Sequence, residues 1–138
     1  MPSTAERLLV LLLRMVGAME CLAIFPTVMP RSWMATIHQH IGLGPFPEGP
    51  IVEYLARAMS AFYAFHGGLL LLLSTDVRRF APLLTYAAAT VVGFGALALV
   101  VDLSLGMPWW WTLGEGPFLA AFGVVLLALQ WAARRQAE

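Results

Sequence analysis

The stretch Ile51–Ser74, IVEYLARAMSAFYAFHGGLLLLLS, is apolar enough to seek lipid, yet it carries Glu53, Arg57 and His66. A helix rises about 1.5 Å per residue, so this stretch can cross a hydrocarbon core about 30 Å thick. Ionised groups are expensive in lipid, so such a helix must turn them toward other protein. At about 100° per residue, Glu53, Arg57, Ser60, Ala64, Gly67, Gly68 and Leu71 share one stripe. Ala56, Ser60, Ala64 and Gly68 also form an unbroken small-xxx-small run. Small residues let backbones approach closely in lipid, so the stripe predicts a helix-packing face. His66 falls on the opposite side from Arg57, near Met59 and Leu69, and is expected to hydrogen-bond another helix or subunit.

Three further apolar segments accompany this one. The chain has 138 residues, of which 60% are hydrophobic and 12% charged. Soluble domains carry roughly 25% charged residues, so a soluble fold of this length could not hide so much apolar surface. The expected fold is all-α: an integral membrane up-down four-helix bundle forming one transmembrane domain over 1–138. The spans are predicted at about 7–29, 51–74, 82–102 and 116–134. The first segment is not read as a cleaved signal. Arg14 interrupts its apolar run, no A-x-A-like site follows, and Glu20 stands where a lipoprotein box before Cys21 needs a small residue.

Pro26 and Pro30 close the first span. Trp33, Met34, Ile37 and Ile41 then line one face, which predicts a short amphipathic interfacial helix between spans one and two. His38 and His40 point about 160° apart on such a helix, so a metal site there is not expected. With Cys21 as the one cysteine, neither an internal disulfide nor a multi-cysteine metal site can form. Ser74–Ala81 reads as a basic turn, and Pro82 opens the third span. Thr85, Ala89 and Gly93 give that span a small face, and Asp102 is expected to end it. Trp109, Trp110 and Trp111 read as an interfacial anchor before the last span, which Glu115 and Pro117 introduce.

No P-loop, dinucleotide fingerprint, nucleophile elbow or H-E-x-x-H motif is present, so no catalytic residue, cofactor or metal is expected. Formal net charge is zero, which leaves no nucleic-acid footprint. What remains is charge inside the spans. Glu20, Glu53, Arg57 and Glu115 are expected to cluster in the outer half of the bundle, with Glu20 the favoured second partner of Arg57. Arg14, His66 and Asp102 are secondary polar candidates, and Arg14 is close enough to its helix end to snorkel. The expected function is non-enzymatic, through assembly with itself or a membrane partner. One alternative is a small transporter or proton-linked component using the charge cluster. The other is a redox accessory subunit meeting quinol near the tryptophans.

Glu53-x-x-x-Arg57, Tyr63, Gly67-Gly68, the basic turn Arg78-Arg79 followed by Pro82, and Glu115 before the last span together resemble a known pattern. It is that of small bacterial four-helix membrane proteins grouped as a domain of unknown function, loosely akin to the DoxX-like four-span proteins. The resemblance covers the chain from Ile51 onward. It implies a four-span fold and no particular reaction, while the DoxX-like kinship implies quinone or thiol redox chemistry.

Orientation follows from arginine, because the chain has no lysine. Arg7, Arg78, Arg79, Arg134 and Arg135 fall on one side of a four-span arrangement, and Arg31 lies in a loop on the other. Positive-inside then places both termini in the cytoplasm of a bacterial inner membrane. Fusions to a cytoplasm-active reporter should work after Arg79 and Glu138, and a periplasm-active reporter after Gly44 and Trp111. Swapped activity at Arg79 would reverse the orientation.

Overall fold

The computed structural model describes residues 3–136. They form helices α1 (Thr4–Cys21), α2 (Ile24–Val28), α3 (Arg31–His40), α4 (Pro50–Leu73), α5 (Ala81–Leu105), α6 (Trp109–Gly114) and α7 (Gly116–Arg135), with no strand among the described residues. Four helical stretches, Thr4–Val28, Pro50–Leu73, Ala81–Leu105 and Trp109–Arg135, are long and apolar enough to cross a membrane. Their outer surfaces expose Leu11, Phe62, Phe65, Leu72, Leu97 and Val100, among other large apolar side chains. Surface of this kind is what lipid covers.

The boundaries differ from the sequence expectation in three places, each with a local cause. The first span is broken at Leu22–Ala23, between α1 and α2. Pro26 has no N–H, so the Leu22 carbonyl loses its ordinary helical donor and accepts instead from Phe25 N–H at 3.1 Å. The third span runs past Asp102 to Leu105. Gly106 ends it with a left-handed φ of 65°, and Met107 N–H closes back on the Asp102 carbonyl at 3.0 Å. That pair is a Schellman cap, which glycine adopts without a Cβ penalty. The last long helix begins at Gly116 as expected, but the short helix α6, which starts after Pro108 and holds the tryptophans, precedes it and extends the apolar stretch back to Trp109.

The segment between α2 and α4 is helical at α3, as its apolar periodicity predicts, but Met34 alone of that face is buried. The following loop folds back on α3. His38 Nδ1 lies 2.9 Å from the Gly44 carbonyl, Phe46 packs edge-on against the His38 ring, and Arg31 donates to the Pro47 carbonyl at 3.3 Å. Among the described residues no three His, Cys, Asp or Glu side chains gather as a metal site would need.

The chain divides into two compact units, Met1–Leu12 with Leu73–Glu138, and Leu13–Leu72. Within Leu13–Leu72, α1 and α4 run antiparallel, with Gly17 beside Gly67 and Cys21 Sγ 3.7 Å from the Ala64 carbonyl. A Cβ on Gly67 would stand 2.6 Å from the Gly17 carbonyl oxygen and 2.8 Å from Cys21 N, so the two backbones touch. In the other unit α5 and α7 are antiparallel. Gly95 meets Gly116 and Ala120, Ala88 meets Gly123, and Gln130 Nε2 donates to the Ala81 carbonyl at 2.6 Å. This unit also joins the start of α1 to the Ser74–Phe80 turn, where Arg78 binds both oxygens of Glu6, the shortest contact being 2.7 Å. The hydrogen bonds to Glu6, and then its charge, raise the Arg78 pKa above its ordinary value, so that partner stays cationic at any physiological pH.

Of the glycines on the expected packing faces, Gly67 is at a backbone contact, whereas Gly68 and Gly93 are not. A Cβ on Gly68 or Gly93 would meet nothing within 4 Å, and both residues are exposed, as is Ala89. The stripe on α4 included both Gly67 and Gly68, and the small-xxx-small run ended on Gly68, while the backbone contact falls on Gly67. Gly67→Ala and Gly95→Ala should each lower the melting temperature in detergent, since a methyl group forced between touching backbones costs about 1–3 kcal/mol. Gly68→Ala and Gly93→Ala should leave it unchanged or raise it slightly, because alanine is the better helix former. Equal melting within either pair would contradict the seams described here.

Candidate functional site

The Gly17–Gly67 contact brings α1 and α4 close enough for polar side chains on both to meet. Glu20 lies one turn beyond Gly17, and its Cβ is 2.9 Å from the place a Cβ on Gly67 would take. His66 precedes Gly67 on α4. Its Nδ1 stands 2.7 Å from Glu20 Oε2, with 23% of the His66 side chain and 13% of the Glu20 side chain exposed. When Glu20 is a carboxylate it can only accept, so Nδ1 carries the proton and donates.

Arg57 occupies the other flank of the same helix pair. Its Nε and Nη2 both donate to Glu53 Oε1, at 3.1 and 2.7 Å, and its Nη1 donates to the Thr27 carbonyl at 2.7 Å. Thr27 is near the end of α2, where helical carbonyls have no donor further along the chain. The guanidinium therefore ties α4 to the end of α2 while neutralising the carboxylate one turn away on its own helix.

Two of the sequence candidates, Glu53 and Arg57, are joined. Glu20 is in the same helix pair, but its partner is His66, and the second partner of Arg57 is the Thr27 carbonyl rather than the Glu20 carboxylate. The helical wheel explains both. Arg57 and His66 lie on opposite sides of α4, yet each is only about 90° from the seam through Gly67, one on either side. Both side chains are long enough to reach around to the facing segment. The signal for the missed pair was the His66-Gly67 dipeptide: a long polar side chain next to a backbone contact is carried to the partner helix.

Glu115 and Asp102 belong to the other unit. Glu115 lies between α6 and α7 and accepts from Trp111 Nε1 at 2.6 Å, while Trp110 and Trp111 pack edge to face with centroids 5.8 Å apart. Asp102 is buried in the last turn of α5, and its Oδ2 has no hydrogen-bond partner among the described residues. Arg14 is exposed on α1. Comparison with known protein families, curated proteins and solved structures finds no match to this chain.

Arg57→Lys should destabilise the protein, because an ammonium cannot hold Glu53 through two donors and also reach Thr27 in the same fork geometry. The expected loss is about 1–3 kcal/mol, the scale of hydrogen bonds to charged groups. Adding Glu53→Gln to an Arg57→Leu variant should recover part of the stability lost by Arg57→Leu alone, as it removes the carboxylate left behind. Unchanged melting of Arg57→Lys in detergent would reduce Arg57 to a side chain with no structural role.

Proposed function

We propose that this chain is a small multi-pass protein of a bacterial inner membrane, with both termini cytoplasmic, and that it works without covalent catalysis as a proton-linked component. The observation that carries this reading is the Glu20–His66 pair, 2.7 Å apart on two helices each long and apolar enough to span a membrane. Ionisable groups at such depth mark proton and ion pathways more often than surface charge does. A carboxylate and an imidazole in direct contact can hold one added proton between them as a pair that is neutral overall, and after its release the carboxylate charge still accepts a hydrogen bond from the imidazole N–H. The Glu53–Arg57 pair, in contrast, is locked by three short contacts and serves to hold the helices around the protonatable pair.

Assembly with a second copy or a membrane partner, the other reading, draws its support from the open faces at Gly68 and Gly93.

The test is proton movement across liposomes containing the purified protein, followed with an entrapped pH-sensitive dye under an imposed gradient. Wild-type protein should move protons, Glu20→Gln and His66→Gln should each abolish the movement, and Glu48→Gln, in the exposed loop, should not. Persistence of the signal in both Glu20→Gln and His66→Gln, or its absence from folded wild-type protein, would defeat the proposal.

A further inference from the structure

A second polar site lies in the unit formed by the start of α1, the Ser74–Phe80 turn, α5 and α7. It is a cavity of ≈ 280 Å³ whose wall includes Glu6, Arg78, Gln130 and Arg134 as well as the apolar Leu9 and Val77. Two guanidinium groups there stand against one carboxylate. Arg78 is neutralised by Glu6 through both carboxylate oxygens. Among the described residues, Arg134 has a neutral partner, the Thr85 hydroxyl at 3.3 Å from Nη2, and no carboxylate. Thr85 Oγ1 itself lies 2.9 Å from both the Ala81 carbonyl and Gln130 Oε1, so its single proton serves the wall of the cavity. Among the described residues the wall therefore keeps one positive charge in excess, beside apolar side chains that are almost fully buried. Helix α5 begins at Ala81 on the same wall, and no side chain caps it.

The neighbouring arginines are occupied elsewhere or point away. Arg135 stacks over the Trp131 ring at 3.7 Å and Arg79 lies over Phe80 at 5.8 Å; neither lines the cavity. Among the cavity's described lining residues the excess charge thus belongs to Arg134.

We propose that this cavity binds a phosphate group, supplied by the headgroup of an anionic membrane phospholipid. Arg134 provides the charge and free guanidinium donors, and Arg78 lies within the same wall. Leu9 and Val77 give the glycerol end of the lipid an apolar seat. A volume of ≈ 280 Å³ is just below that of a drug-sized pocket, enough for a headgroup but not for a whole lipid. The acyl chains would run outside, over the exposed apolar helix faces. Basic pockets between membrane helices take anionic headgroups in this way. The inference rests on the chain residing in a bilayer and is independent of the Glu20–His66 pair.

The experiment follows melting of the full chain in detergent as three probes are added: short-chain phosphatidylglycerol, phosphatidylcholine with the same tails, and inorganic phosphate. Phosphatidylglycerol should stabilise at concentrations where phosphatidylcholine does not. Arg134→Gln should raise its half-effective concentration about fivefold, the loss of one arginine near the membrane surface. Arg79→Gln, which removes an arginine at the same end but outside the cavity, should change it far less. Glu6→Gln should lower it, because Arg78 is then released toward the ligand. Stabilisation by inorganic phosphate that depends equally on Arg134 would keep the phosphate chemistry and assign free phosphate as its source. Equal weakening by Arg134→Gln and Arg79→Gln, or equal stabilisation by the two lipids, would overturn the site.

Discussion

Backbone contact at glycine is the constraint on which the rest of this structure depends. Lipid tails are as apolar as leucine, so helices in a bilayer gain nothing from merely hiding apolar side chains from one another. They gain from close van der Waals approach and from hydrogen bonds. Gly17 against Gly67 in one unit, and Gly95 against Gly116 in the other, remove the side chains that would keep the backbones apart. Large side chains such as Leu8, Phe65, Leu97 and Val124 are left exposed on the outside, on helices long and apolar enough to cross a membrane.

The same closeness makes the polar contacts possible. A carboxylate reaches an imidazole across two helices only when the helix axes are near, and Glu20 and His66 sit beside the glycine seam. Arg57 exploits a different consequence of the chain. Pro26 breaks the first span, the resulting α2 ends at carbonyls without helical donors, and the guanidinium supplies one. A proline, a glycine pair and three long side chains thus act together: the proline opens an acceptor, the glycines set the spacing, and the side chains bridge it.

At the basic end, charge is arranged by a similar economy of short side chains and caps. The Glu6–Arg78 fork ties the start of α1 to the turn before α5, while Gln130 and Thr85 tie α5 to α7. These bonds satisfy the polar groups that a membrane interior would otherwise leave without partners. They also leave Arg134 with a neutral partner, the Thr85 hydroxyl, in the wall of a cavity, the feature on which the proposed anion site rests.

The sequence by itself determined the helical class, the number and approximate extent of the long apolar helices, and the Glu53–Arg57 pair. Each of these depends on composition or on a fixed period along one helix, and both can be read without knowing what lies opposite. It also identified the stripe through Ser60, Ala64 and Gly67. It could not choose between Gly67 and Gly68, about 100° apart, or between Gly93 and Gly95, about 160° apart, because a wheel has no partner to fix its origin. Only the tertiary structure decided that Glu20 belongs to His66 and that Arg57 caps the Thr27 carbonyl. The physical reason is that a long side chain about 90° from a contact seam can bend to either side of it, and the position of the facing helix, broken at Leu22–Ala23, settles which partner it finds.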